Sequence, residues 1–139
     1  MALADFQNIV DDFDVLDDWD DRYRYIIDLG KQSEPLNSSF KNDENKVSGC
    51  ASQVWLIHNV INNGSCKRIL FKGDSDAVIV KGLIAIVMTL YNEEKIYDAK
   101  KINALDELNK LGLQEHLSSQ RSNGLKAMIE KIQQTISTY

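Results

Sequence analysis

The segment Val47-Ser48-Gly49-Cys50-Ala51-Ser52-Gln53-Val54-Trp55-Leu56 places a thiol where it can do chemistry. Cys50 follows a glycine at the end of a long polar stretch, and an apolar, strand-like run begins just after it. Glycine tolerates positive φ and lets another chain approach closely. The small neighbours Ser48, Ala51 and Ser52 leave the sulfur uncrowded. The chemistry on offer is nucleophilic, carried by the thiolate rather than the thiol. Apart from Lys46, no Lys, Arg or His lies beside Cys50, so activation must come from groups near in space or from a partner. A second reading stays open. Free cysteine is among the most buried residue types, and a cysteine at a strand entrance can serve packing alone.

The other chemistry-bearing residues are less pointed. Cys66 opens a second apolar run and reads as a strand residue. Cys50, His58, Cys66 and His116 could be counted as a zinc set, but their spacing matches no compact structural zinc pattern, so no metal site is expected. A hydrolase with Cys50 as nucleophile and His58 or His116 as base has no second motif behind it. Asp11, Asp12, Asp14, Asp17, Asp18, Asp20 and Asp21 form an acidic cluster that reads as a solvated face with helix capping, or as a patch for a basic partner. Arg121, with Asn123-Gly124, is read as preceding the last helix, at the end whose dipole favours anions. That mild misfit hints at binding. Asp74-Ser75-Asp76 reads as a helix cap and as a loop at one end of a hairpin, the end nearest Cys50.

The elements that must position these groups follow from composition and period. A chain of 139 residues is expected to form one domain, 1–139, burying roughly two-thirds of its unfolded surface. With 43% hydrophobic and 27% charged residues it is globular. A net charge of −5 and a pI near 5.0 argue against nucleic-acid binding and against docking on anionic membranes. Met1-Ala2-Leu3-Ala4-Asp5 lacks the basic and apolar regions of a secretory signal, and two cysteines make no disulfide framework. Reduced thiols in the cytoplasm are the expectation.

Phe6, Ile9, Val10, Phe13 and Leu16 recur at helical spacing. Asp17 or Asp18 can cap a second helix with Trp19, Tyr23, Ile26 and Ile27 on its apolar face and Gly30 as its stop. Residues 31–46 read as a long loop. Val54–Ile61 and Cys66–Phe71 form a β-hairpin, with Asn63-Gly64 as a type I′ turn. That register sets Ile61 opposite Cys66 and His58 opposite Ile69, with His58 and Cys66 on different faces. The stretch from Ala77 to Tyr91 is apolar nearly all round and should lie centrally under the sheet. A shorter helix carries Leu105, Leu108 and Leu111 and stops at Gly112, and a last one presents Leu125, Met128, Ile129, Ile132 and Ile136. The order α-α-β-β-α-α-α predicts an α+β fold, a small antiparallel sheet with helices packed against it.

The cysteine segment closely resembles that of the SufE family. Further blocks match in order: Trp19 with Arg22-Tyr23, Ile26-Ile27-Asp28-Leu29-Gly30, Gly73-Asp74-Ser75-Asp76-Ala77 through Leu83, and Leu117-Ser118-Ser119-Gln120-Arg121-Ser122-Asn123-Gly124-Leu125 with Ala127-Met128. The resemblance spans nearly residues 6 to 136. Ser33-Glu34-Pro35 departs from the family's usual Leu-Pro followed by a polar residue. The resemblance implies the fold of iron–sulfur scaffold proteins and a sulfur acceptor in cluster assembly. In that role Cys50 carries a persulfide taken from a PLP-dependent cysteine desulfurase, SufS, and stimulates that enzyme. It then passes the sulfur to a SufBCD-type scaffold. PLP belongs to the partner, and the chain has no cofactor of its own. Gly49, Asp74 and Arg121 are the expected partner-facing residues, and a homodimer is admitted. The SufE branch is favoured over the paralogous CsdE branch by the intact Asp74-Ser75-Asp76-Ala77 block. An iron–sulfur scaffold or a plain interaction module is the competing reading. A scaffold needs about three cysteine ligands or equivalents, and this chain has two cysteines.

Overall fold

The computed structural model describes residues 2–139, save the side chains of residues 2–4 and 63. Helices α1 (Ala2–Val15) and α2 (Trp19–Gln32) come first. Asp18 caps α2, its carboxylate accepting the Asp21 N–H at 2.9 Å, so the aspartates between the helices do local work. Phe6, Ile9 and Phe13 are buried, as their spacing predicts. Next come β1 (Val54–Asn63), β2 (Cys66–Ser75) and α3 (Val78–Tyr91). The short elements β3 (Glu94–Lys95), α4 (Ile96–Ala99), α5 (Ala104–Asn109) and α6 (Leu113–His116) lead to α7 (Ser119–Ser137). The sheet is antiparallel in the order β1-β2-β3. Helix α3 buries most of its length, packed by α1 and α2 and against β2. This bears out the α+β architecture.

The hairpin differs from expectation by two residues. Asn63 pairs with Cys66, His58 with Phe71 and Ile61 with Arg68, so the loop is Gly64-Ser65, not Asn63-Gly64. The positive φ falls on Gly64, at 66°, with no other described residue of the loop sharing it. One left-handed residue at the first loop position suits a type II′ turn rather than I′. A shift of two leaves every side chain on the same face, so His58 and Cys66 still point to opposite sides.

Two glycines read as boundaries are interior. Gly30 is buried inside α2, where a Cβ would lie 2.2 Å from the Val78 carbonyl oxygen. It marks a close helix crossing, not a stop. Gly124 lies five residues inside α7, whose N-cap is Ser118, so Arg121 belongs to the first turn of that helix rather than preceding it. Gly112, at φ 69°, sits between α5 and α6, where it serves as the N-cap of α6. The cap of α3 is Ala77, without a side-chain bond of its own. The nearest substitute is the Ser75 hydroxyl, which accepts the Ala77 N–H at 3.2 Å.

Candidate functional site around Cys50

The turn that carries Cys50 is closed at both ends. Residues 45–47 pair with the start of β1: Val47 N–H donates to the Val54 carbonyl at 2.8 Å, Leu56 N–H to the Asn45 carbonyl at 2.9 Å, and Lys46 bridges Trp55. At its exit, Gln53 N–H donates to the Asp76 carboxylate at 3.0 Å and Asp76 N–H returns to the Gln53 carbonyl. Residues 48–53 are thus a short loop on a firm base. Gly49 adopts φ 89°, a conformation other residues rarely take, and a Cβ there would stand 3.4 Å from the Ala127 Cβ. The glycine lets the loop lie close on α7.

Cys50 is half-buried between that loop and α7. Its Sγ lies 3.6 Å from the Gly124 carbonyl oxygen, a weak S–H···O contact. Gly124 offers no side chain, and a Cβ there would sit 3.5 Å from the sulfur. Beside the thiol is a cavity of about 30 Å³ walled by Val54, Val80, Leu83, Leu125 and Met128, with Gln120 and Arg121 also lining it. A void needs about 10–15 Å³ in this measure to hold one water-sized atom, so the space beside Sγ takes one further heavy atom comfortably. The apolar walls desolvate the thiolate, and burial pushes the Cys50 thiol above its ordinary pKa. At rest the group is a protected thiol. Its alkylation by iodoacetamide should lag behind the urea-unfolded chain at neutral pH, with the rate profile displaced to higher pH. Equal rates in folded and unfolded protein would contradict the shelter.

The four expected site residues separate into two places. Gly49, Cys50 and Arg121 come together at the loop and the first turn of α7. Asp74 lies opposite Trp55 in the hairpin, at the Cys50 end as expected, but only 1% of it is exposed. Its carboxylate accepts the Ser75 N–H at 2.8 Å and the Leu36 N–H at 3.0 Å, and pairs with Lys41 at 3.1 Å and Lys81 at 3.4 Å. From there it offers no contact surface in this conformation. It holds the strap of residues 33–46 against the hairpin. Burial alone would raise its pKa. The Ser75 N–H, the Lys41 ammonium, the Leu36 N–H and the Lys81 charge outweigh burial and hold it below the ordinary carboxylate value. A depressed pKa stabilises the fold above the unfolded carboxylate range, near 4, and that contribution is lost as pH falls through the folded value. Asp74→Asn should therefore cost about 1–3 kcal/mol at pH 7 and flatten the acid limb of the stability curve. Urea midpoints at pH 7 and pH 3 check this: an equal deficit at both pH values would rule out the charge.

Neither histidine reaches the thiol. His58 Nε2 bonds the Tyr139 hydroxyl at 2.9 Å, and His116 stacks on Trp19 with ring centroids 3.9 Å apart. A Cys–His dyad is not assembled here. Among the described residues no three His, Cys, Asp or Glu side chains converge as metal ligands. The sequence reading missed Val80, Leu83, Leu125 and Met128 as walls of the site, because their apolar spacing carries only a core signal.

The fold and the site together define an α+β scaffold that carries a sheltered thiol on a rigid turn. Residues 7–136 match the SufE family, described as an Fe-S metabolism associated domain. An uncharacterized SufE-like protein of Rhizobium meliloti is 46% identical over 130 residues, covering 94% of this chain and 93% of that protein. Another, from Rhizobium etli, is 46% identical over 134 residues, covering 96% and 90%. The solution structure of a hypothetical protein from Thermus thermophilus superposes with a TM-score of 0.69 at 16% identity, covering 96% of this chain and 93% of that one, a likeness of fold. The chain belongs to the SufE family, and with it to iron–sulfur metabolism. No helix among the described residues is long and apolar enough to cross a membrane.

Proposed function

We propose that the chain is a cytoplasmic sulfur acceptor that carries a persulfide on Cys50. The observation that carries this reading is the apolar cavity of about 30 Å³ beside the Cys50 sulfur, with room for the extra atom that loading adds. The donor is a PLP-dependent cysteine desulfurase of the SufS type holding a sulfane sulfur on its own cysteine. The Cys50 thiolate attacks that terminal sulfur, a new S–S bond forms on Cys50, and the desulfurase cysteine leaves as thiolate. No net electrons are exchanged, and the proton of the outer sulfur stays with the persulfide or passes to the released thiolate. The step needs a reachable thiol and no metal. The elevated thiol pKa supports a division of labour: sheltered Cys50 is inert, and exposure in the partner's site restores its nucleophilicity. Gly49 and Arg121, beside the cysteine, are the contact residues of this reading, and Asp74 supports the hairpin end. A SufBCD-type scaffold takes the sulfur onward.

The test mixes wild-type protein with SufS and L-cysteine and maps the product by mass spectrometry without reductant. A gain of one sulfur on the peptide containing Cys50 is expected, with faster desulfurase turnover. Sulfur on Cys66, or none on either, overturns the proposal. Stimulation of the paralogous desulfurase of the CsdE system alone would move the chain to that branch.

A further inference from the structure

The two faces of the sheet are unequal. Val54, Leu56, Ile69 and Phe71 share one face by register and are buried in the core. Ile57, Ile61 and Leu70 share the other and lie outside the core cluster, with Ile61 37% exposed. The strap covers only the Trp55 end of this outer face, through Leu36 and Lys41. Where it stops, a cleft of about 450 Å³ opens between Pro35, Phe40, Ile57, Lys72 and the α3 residues Ala85 and Met88. Phe40 is 44% exposed at this cleft.

The charges on the strand positions of this face are mainly basic. Lys72, Arg68 and Lys95 fall on the outer face by register, in a chain of net charge −5. The only carboxylate among the strand positions of that face, Asp74, is buried under the strap, and the exposed Glu34 lines the strap side of the cleft that Lys72 also lines. Arg68 and Lys95 are direct cross-strand partners. Like charges opposite one another destabilise a sheet, so this pair is not there for stability. Arg68 also donates to the Glu93 carbonyl at 2.7 Å, which holds its charge at the strip. Among the described residues neither Lys72, Arg68 nor Lys95 has a carboxylate partner within ion-pair distance.

We infer that this outer sheet face is a docking surface for an acidic, apolar segment of a partner polypeptide. Apolar side chains of the segment fill the cleft and cover Ile57, Leu70 and Ile61, while its carboxylates meet Lys72, Arg68 and Lys95. The surface runs from the cleft toward the hairpin tip, reaching about 20 Å along β1 from the start of that strand, next to the Cys50 loop. A partner held there leaves the Cys50 loop free, so the surface is independent of the sulfur-transfer reading.

The test titrates isotope-labelled protein with a short synthetic peptide alternating glutamate with leucine and phenylalanine, followed by amide chemical shifts. Shifts at Ile57, Ile61, Arg68, Leu70 and Lys72 are expected, with affinity falling about tenfold or more in the Arg68→Glu/Lys95→Glu double variant. Cys50→Ser should bind the peptide as wild type does, and the charge-reversed variant should still accept sulfur from the desulfurase. Equal binding of a matched lysine peptide, or shifts centred on the Cys50 loop, would overturn the inference. So would the same residues responding only to dilution of a self-associated protein, or only to vesicles containing anionic phospholipid.

Discussion

Replacing Cys50 with serine should abolish sulfur uptake from the desulfurase while leaving the fold intact. The serine hydroxyl keeps the shape of the turn, and the loop's own anchors, Val47–Val54 and Gln53–Asp76, use backbone atoms and a carboxylate rather than the thiol. The sulfur makes one weak contact, to the Gly124 carbonyl, so unfolding free energy should change by about 1 kcal/mol or less. Sulfur transfer, by contrast, requires a thiolate to open an S–S bond, and a neutral serine hydroxyl does not supply one. Intact mass after incubation with SufS and L-cysteine should show no gain in Cys50→Ser and the full gain in Cys66→Ser. Cys66 stands at the hairpin tip, paired with Asn63, at the end of β1 remote from the Cys50 loop. If Cys50→Ser still gains a sulfur, the cavity beside Cys50 is a packing defect and the carrier is elsewhere. If both variants lose the gain, the transfer uses a relay that the separation of the two thiols makes difficult to build.

What could be read from the sequence follows a physical line. Long elements with a clear period were legible: the buried faces of α1, α3 and α7 are those their spacing predicts, whereas on α2 only Ile26 of the expected apolar face is buried, together with Gly30. The outer and inner faces of the hairpin were also legible, because a register error of two preserves the face. The exact pairing was not, since Asn-Gly favours one turn and the ten-residue ladder from Val54–Ser75 to Asn63–Cys66 favours another. Short β3, α4 and α6 carry no period. They depend on contacts such as Asn92, whose side chain both donates to and accepts from the backbone of Phe71. Glycine was the most misleading residue. Gly30 and Gly124 follow the local rule for a helix boundary, yet Gly30 is required by Val78, a neighbour distant in sequence, and Gly124 lies in ordinary contact range of Cys50. The burial of Asp74 was hidden for the same reason, because Leu36, Lys41 and Lys81 converge on it only after folding. Cys50 itself was legible from its turn, whereas its shelter is built from α3 and α7.

Gly82→Ala should damage the scaffold strongly, although it removes no contact. In an exposed helix this change gains about 1 kcal/mol, since alanine is the better helix former. Here α3 crosses α2 at that position. A Cβ on Gly82 would lie 1.9 Å from the Ile26 carbonyl oxygen and 2.7 Å from both its carbonyl carbon and its Cγ2. Two of those three atoms are backbone, and no rotamer moves them away. Ile26 is fully buried, so α2 cannot yield locally. The helices must separate, and the loss falls on the core contacts of both. Overpacking of a tight core costs about 1–3 kcal/mol and occasionally more, and with backbone as the obstacle the net loss should reach about 2–4 kcal/mol. In a chain of this size that lowers the melting temperature by about 10 °C. Gly30→Ala meets the same crossing from the other side, 2.2 Å from the Val78 carbonyl oxygen. The double variant should therefore cost less than the sum of the singles, because helices already parted admit the second methyl more easily. Thermal and urea unfolding of the three proteins check this. Because α3 also supplies Val80 and Leu83 to the Cys50 cavity, the same variants should alkylate Cys50 faster. Stabilisation by Gly82→Ala, or additive losses with unchanged Cys50 reactivity, would show that the crossing is looser than its geometry and that the thiol's shelter does not depend on it.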